Sequence, residues 1–216
     1  CCGYRTFTRP AGGTMQLCPV CAWEDTPSEA EYTDSNEVNL IPAQRHFLST
    51  RACEDEYLSV VRPPLPEEAR SEHWRSFDEL RLQIIADIER EFHDVKRDGG
   101  ATLHQMRWVD GGHPPDSEEM RKAEREDPEA TWQEIPATKL SQFSRSLIFL
   151  DDQGFLFYLP AFMRHGLVTC FPNITYADLD GVLWNLETGI NSSYRSTSFA
   201  LLSHAQKQTA ASFVFL

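Results

Sequence analysis

Leu147-Ile148-Phe149-Leu150, Asp151-Asp152-Gln153-Gly154 and Phe155-Leu156-Phe157-Tyr158-Leu159-Pro160-Ala161-Phe162-Met163 form the most apolar part of a 216-residue chain. Two apolar runs around a polar tetrapeptide ending in Gly154 could form a hairpin. They could equally be two helices with Asp151 as a cap. The uninterrupted apolar continuation through Ala161-Phe162-Met163 favours helix, and with it a mainly α domain whose core is this aromatic segment. The seam between Tyr158 and Arg164 is also the place to look for a catalytic pocket, if the domain holds one.

Helical periodicity surrounds the segment. Ser76-Phe77-Asp78-Glu79 reads as a capping box, with Glu79 reaching back to the Ser76 amide. Phe77, Leu80, Ile84, Ile88, Phe92 and Val95 then recur at intervals of three or four, predicting an amphipathic helix that ends at Gly99-Gly100. Thr102 opens another through Leu103, Met106, Trp108 and Val109, stopped by Gly111-Gly112 and Pro114-Pro115. Residues 116–130 carry many charges and few large apolar side chains, which predicts a solvated helix or loop. Ser203-His204-Ala205-Gln206 is a second capping box, before a last helix. Upstream, Asn39 caps a short helix whose Leu40, Ala43, Phe47 and Leu48 share a face, with Pro42 tolerated in the first turn. The stiff Arg62-Pro63-Pro64-Leu65-Pro66 stretch places a domain boundary near residue 72.

The net charge of −13 argues against a nucleic-acid binder, which needs a basic face. No window of ~18 uncharged apolar residues is present to span a membrane. Apolar residues at 41% and charged residues at 25% suit a globular chain. Residue 1 is Cys rather than Met, with no leader pattern behind it, so the chain reads as processed or as a fragment that begins inside a motif.

Four of the six cysteines, Cys1, Cys2, Cys18 and Cys21, lie in the first 21 residues; Cys53 and Cys170 stand apart and read as ordinary small residues. Crowding at one end is unlike a disulfide framework and predicts a reduced, cytoplasmic setting. Cys18-Pro19-Val20-Cys21 is a C-x-x-C knuckle, whose turn aims two thiolates at one ion. Cys1-Cys2-Gly3-Tyr4 looks like the tail of a second knuckle, with Gly3 where a left-handed residue is needed. Fifteen residues separate Cys2 from Cys18, which fits paired C-x-x-C spacing, although a leading Cys two positions before Cys1 is required. Structural Zn2+ is the leading reading; an iron S4 site and a redox dithiol are alternatives.

The pattern from Cys1-Cys2-Gly3-Tyr4-Arg5-Thr6 to Cys18-Pro19-Val20-Cys21-Ala22-Trp23-Glu24-Asp25 resembles the bacterial cysteine-rich CPCC domain, whose first knuckle reads C-P-C-C-G-Y. The likeness continues through Asn39-Leu40, Ala43, Phe47, Ala52-Cys53 and Val61-Arg62, over residues ~1–70. It implies metal ligands Cys2, Cys18 and Cys21, with Cys1 a bystander or a substitute for an upstream cysteine. Ala22 departs mildly from the small residue, often Gly, that follows the second knuckle. Beyond it, Trp132-Gln133-Glu134-Ile135-Pro136 and the G-F-x-F-Y-L-P-A-F-M segment from Gly154 to Met163 resemble an uncharacterised bacterial domain covering 76–216. Neither resemblance brings an activity.

Asp178-Leu179-Asp180-Gly181-Val182-Leu183 imitates the D-x-D-G-V-L nucleophile loop of haloacid-dehalogenase-type phosphatases. A poor preceding strand and only 33 following residues argue instead for a helix N-terminus capped by Asp178 or Asp180. The histidines (His46, His73, His93, His104, His113, His165 and His204) form no H-E-x-x-H motif. The sequons Asn173-Ile174-Thr175 and Asn191-Ser192-Ser193 are patterns of a kind that chance supplies.

The expected architecture is therefore α+β: a zinc ribbon of short β-hairpins plus one helix over 1–72, then a mainly α domain over 73–216. The expected function is a bacterial zinc-binding interaction protein, possibly immunity-like, whose acidic surface suits a basic protein partner. The alternative is a hydrolase or other enzyme with its site in the second domain.

Overall fold

The computed structural model describes residues 1–10, 12–26, 36, 38–169, 176–191 and 196–216. The chain divides into two compact units, Cys1–Leu80 and Arg81–Leu216.

The first unit is not a β-ribbon. Among its described residues the only ladder contact is an isolated antiparallel bridge between Leu17 and Glu24. The start of a hairpin exists: Met15 N–H donates to Asp25 O (2.9 Å), Asp25 N–H to Gln16 O (3.0 Å) and Cys18 N–H to Trp23 O (2.9 Å). Extension stops because Met15 (φ 55°) and Ala22 (φ 62°) are left-handed, which interrupts the pleat at both ends. The segment that a ribbon would use as its other hairpin turns elsewhere, with Arg5 N–H donating to Glu68 O at 2.9 Å. The α+β expectation is thus replaced by a mainly α chain.

Helix α1 (Leu40–Thr50) follows, with Asn39 at its N-cap but making no side-chain cap bond. Its buried face is narrower than the sequence suggested. Ala43 and Phe47 are buried, whereas Leu40 and Leu48 are exposed. Phe47 packs with Cys2, Cys18, Val20 and Cys21, and Ala43 with Ala22 and Cys53. Helix α1 is therefore a lid of two small apolar clusters around the thiols.

The second unit is helical, and its first helix starts within the last residues of the first unit. Helix α2 (Phe77–Glu91) begins at the expected box: Ser76 N–H donates to Glu79 Oε2 at 2.7 Å and Glu79 N–H to Ser76 Oγ at 3.3 Å. It ends at Glu91, eight residues before Gly99. Side chains from later in the chain take its orphan carbonyls: Trp132 Nε1 donates to Phe92 O at 2.8 Å and Gln206 Nε2 to Glu91 O at 3.0 Å. Four short helices or turns of the second unit follow: α3 (Met106–Asp110), α4 (Glu118–Glu124), the Trp132–Glu134 turn and α5 (Ala137–Gln142). Thr102 opens a turn rather than α3 itself, exchanging bonds with Gln105 (2.8 and 3.4 Å).

Leu147–Leu150 and the aromatic segment resolve as helical. A 3-10 turn (Ser146–Phe149) precedes α6 (Asp152–Thr169). Asp151 caps it, accepting the Gly154 amide at 2.8 Å. Residues on all sides of α6 are buried, among them Phe155, Phe157, Tyr158, Leu159, Phe162 and Met163, as expected of a central core helix. Pro160 removes one helical N–H, leaving the Leu156 carbonyl without its usual donor. Around α6 pack α5, the Trp132 turn, α7 (Tyr176–Asn191) and α8 (Ser196–Leu201). Helix α9 (His204–Val214) closes the chain behind the Ser203–Gln206 box. No described helix is long and apolar enough to cross a membrane.

Residues 116–130 are mostly exposed, as expected of a solvated helix or loop, with Asp127 an exception. Asp127 is fully buried. It accepts the His104 amide and the His104 ring (both 2.8 Å) and the Lys139 ammonium (2.8 Å). Lys139 also reaches Glu129 at 2.6 Å. Burial alone would raise the Asp127 pKa; the His104 amide, Lys139 and the His104 ring outweigh it and hold the carboxyl below its ordinary value. Met120 and Ala123 of α4 are buried beside this network.

Candidate metal centre

Three thiols converge. The sulfurs of Cys2, Cys18 and Cys21 lie within 4.8 Å of one another, and all three residues are buried. Cys2 Sγ and Cys18 Sγ are 3.6 Å apart. Local chemistry sets this up. The Ala22 amide closes the knuckle on Cys18 O at 2.8 Å. The amides of Val20 and Trp23 face the sulfurs of Cys18 and Cys21. Thr6 Oγ1 donates to Cys18 Sγ at 3.3 Å. Left-handed Ala22 explains why glycine suits the position after a knuckle.

Gly3 does for the first thiol what Ala22 does for the second. Its φ is +76°, as expected after Cys2, and an added Cβ would lie 2.3 Å from the Trp74 indole nitrogen. A Gly3→Ala change therefore meets backbone strain and a ring at once. The expected result is a loss of about 2–4 kcal/mol from this unit, read by denaturant unfolding. An unchanged midpoint would show that Trp74 does not pack against this turn.

The segment around and after the proline-rich break holds the turn in place; in the sequence only the prolines and the Val61-Arg62 likeness marked it. Arg62 N–H donates to Pro19 O at 2.9 Å, and its guanidinium pairs with Glu68 through both carboxylate oxygens (2.8 and 2.5 Å). Arg70 is stacked between the rings of Tyr4 (4.4 Å) and Trp74 (4.2 Å). Cations thus flank the cysteine turn without entering it.

The donor set fits a soft tetrahedral cation. Thiolates at ~2.3 Å from zinc in a tetrahedron stand roughly 3.8 Å apart, close to the Cys2–Cys18 separation. The cysteines are free, not bridged. With protons instead of metal, the thiols of Cys2 and Cys21 donate to Cys18, holding its pKa down at about 2. The same bond pushes Cys21 up to about 11, and Cys2 is raised as well. A divalent ion among these sulfurs would displace the thiol protons and balance the thiolate charge.

Cys1 is not gathered into this group. It is partly exposed and lines a cavity of about 520 Å³ together with Cys2, Cys18, Cys21, Tyr4 and Trp23. Cys53 is buried and connects through its backbone, its N–H donating to Cys21 O at 2.7 Å. Burial, then Glu54, pushes its thiol up to about 11, which makes it a packing residue rather than a nucleophile. Cys170 and Asn173-Ile174-Thr175 lie outside the described residues, as do Ser192 and Ser193 of the second sequon. His46 spends its ring nitrogens on Ala52 O (2.9 Å) and Asp55 (3.1 Å), away from the thiols.

The other chemical expectations meet a packed interior. Within the Tyr158–Arg164 segment the residues from Tyr158 to Met163 are buried, while Arg164 is exposed and pairs with Glu89 at 2.9 Å. The phosphatase-like stretch lies within α7, two residues past its start, not in a loop behind a strand. Asp178 and Asp180 are therefore helical residues rather than caps.

Comparison with known proteins divides the chain as the fold does. Residues 1–68 match the family described as cysteine-rich CPCC, and residues 80–216 match a family of unknown function, DUF6714. No curated protein and no solved structure matches the chain.

Proposed function

The chain belongs to the DUF6714 family of unknown function and carries a cysteine-rich CPCC domain ahead of it; from that premise we propose that it is a binding protein whose first unit is stapled by structural Zn2+. Cys2, Cys18 and Cys21 supply three thiolates, and Cys1 or a cysteine upstream supplies the fourth. The observation that carries the reading is the convergence of three buried sulfurs in a unit whose apolar clusters are small. Small domains lack the core to fold on burial alone and use an ion instead. Four thiolates leave no position for a reacting water, so the ion's role is to hold the fold. Thiolate ligands accept iron as well, so elemental analysis decides between the two metals. The net charge of −13 supports a basic protein partner.

Elemental analysis of the full chain tests the metal. About one zinc per chain is expected, and Co2+ put in its place should give the intense charge-transfer and visible bands of tetrahedral thiolate. A metal-free, fully folded first unit, or stoichiometric iron, would end the reading.

A further inference from the structure

We propose that a cavity on the second unit, formed where α7 meets the Ser144–Arg145 segment, takes the guanidinium of an arginine side chain from a protein partner.

 The cavity measures about 610 Å³. Its wall is set by sequence spacing: Asp180, Trp184 and Glu187 stand at i, i+4 and i+7 of α7, so an aromatic ring lies between two carboxylates on one helical ridge. All three side chains are exposed, Trp184 by 46%. Gly181 brings the facing backbone close, since a Cβ there would lie 2.2 Å from the Ser144 carbonyl oxygen.

The second observation is independent of charge. Asn185 also lines the cavity and is 1% exposed. Its Nδ2 donates to Gly181 O at 2.7 Å, while its Oδ1 is buried with no hydrogen-bond partner. A buried acceptor without a donor is a standing cost that an incoming N–H relieves. A ring face for a planar cation, two carboxylates and an amide oxygen together select a flat, charged, multiply donating group, which describes guanidinium better than ammonium. Among the described lining residues Arg145 is the one cation, against the two carboxylates of Asp180 and Glu187.

The proposal rests on the basic-partner reading above and locates its contact. The test is calorimetric titration of the full chain with a tri-arginine peptide, repeated on Trp184→Ala and on Glu187→Gln, both at exposed positions. Binding is expected, weakened roughly tenfold by either change, with tri-lysine weaker than tri-arginine. Binding that ignores both substitutions would overturn the pocket while leaving a basic partner in place. Equal affinity for tri-lysine would overturn the guanidinium assignment. No binding of either peptide would overturn both readings. Binding of inorganic phosphate that Arg145→Ala abolishes would make this an anion site and overturn the proposal.

Discussion

A Cys18→Ser variant is expected to lose its metal and to unfold the first unit while the second keeps its helices. Cys18 is the hub of the thiol group, accepting from Thr6 and lying 3.6 Å from Cys2. Zinc-finger peptides gain ~10–16 kcal/mol from the ion at neutral pH, far more than two small apolar clusters contribute. The core of the second unit contains none of the described cysteines, so its own transition should persist. Metal content, near-ultraviolet dichroism and two-step unfolding check the result. Retention of both metal and the first transition would refute the site. The wild-type chain should show the same loss under a strong chelator. Acid should act in the same direction: binding displaces thiol protons, so lowering the pH returns protons to the sulfurs and releases the ion. Affinity therefore rises with pH.

The second large effect belongs to Asp127→Asn. Replacing the carboxylate leaves the Lys139 ammonium in a mostly buried position with only Glu129 as counter-charge. Breaking a buried pair on one side costs about 3–5 kcal/mol. The pH dependence has a definite sign. The folded pKa of Asp127 is depressed, so its contribution is present above the ordinary aspartate value of ~3.9 and fades as pH falls through the folded value. Wild type and variant should therefore differ most near neutral pH and converge in strong acid. Denaturant unfolding across that range measures it. A difference within the scatter of surface substitutions at pH 7 would show that the network is not coupled to folding. Adding Lys139→Met should restore part of the loss, because the orphaned charge is then gone.

The two capping boxes were legible because they are local. Ser76–Glu79 and Ser203–Gln206 satisfy their own amides within four residues, so spacing alone places the helix starts. Helix ends were less legible. Nothing near Glu91 says stop; Trp132 and Gln206, 41 and 115 residues away, take the carbonyls there and in the next residue. The segment over 116–130 is mostly exposed, as its charges suggested, and only the burial of Asp127 escaped the sequence, for a related reason. Asp127 is one acidic residue among many in the sequence, and only its meeting with His104 and Lys139 makes it buried. The ribbon expectation failed because knuckle spacing reports on sulfur placement. It does not report on where the intervening backbone finds its partners, and Arg5 found Glu68.

Sequence alone determined the helical run through the aromatic segment, the left-handed Gly3 and the pairing of Cys2 with the Cys18–Cys21 turn. Each depends on a few neighbouring residues or on a spacing that covalent geometry translates directly into position. Tertiary structure decided that the described residues of the first unit form no sheet, that Cys1 stands outside the thiol group, and that Asp127 and Asn185 are buried. Those outcomes depend on which distant groups arrive to satisfy a donor, an acceptor or a charge, and a hydrogen bond carries no mark in the sequence of the partner it will take.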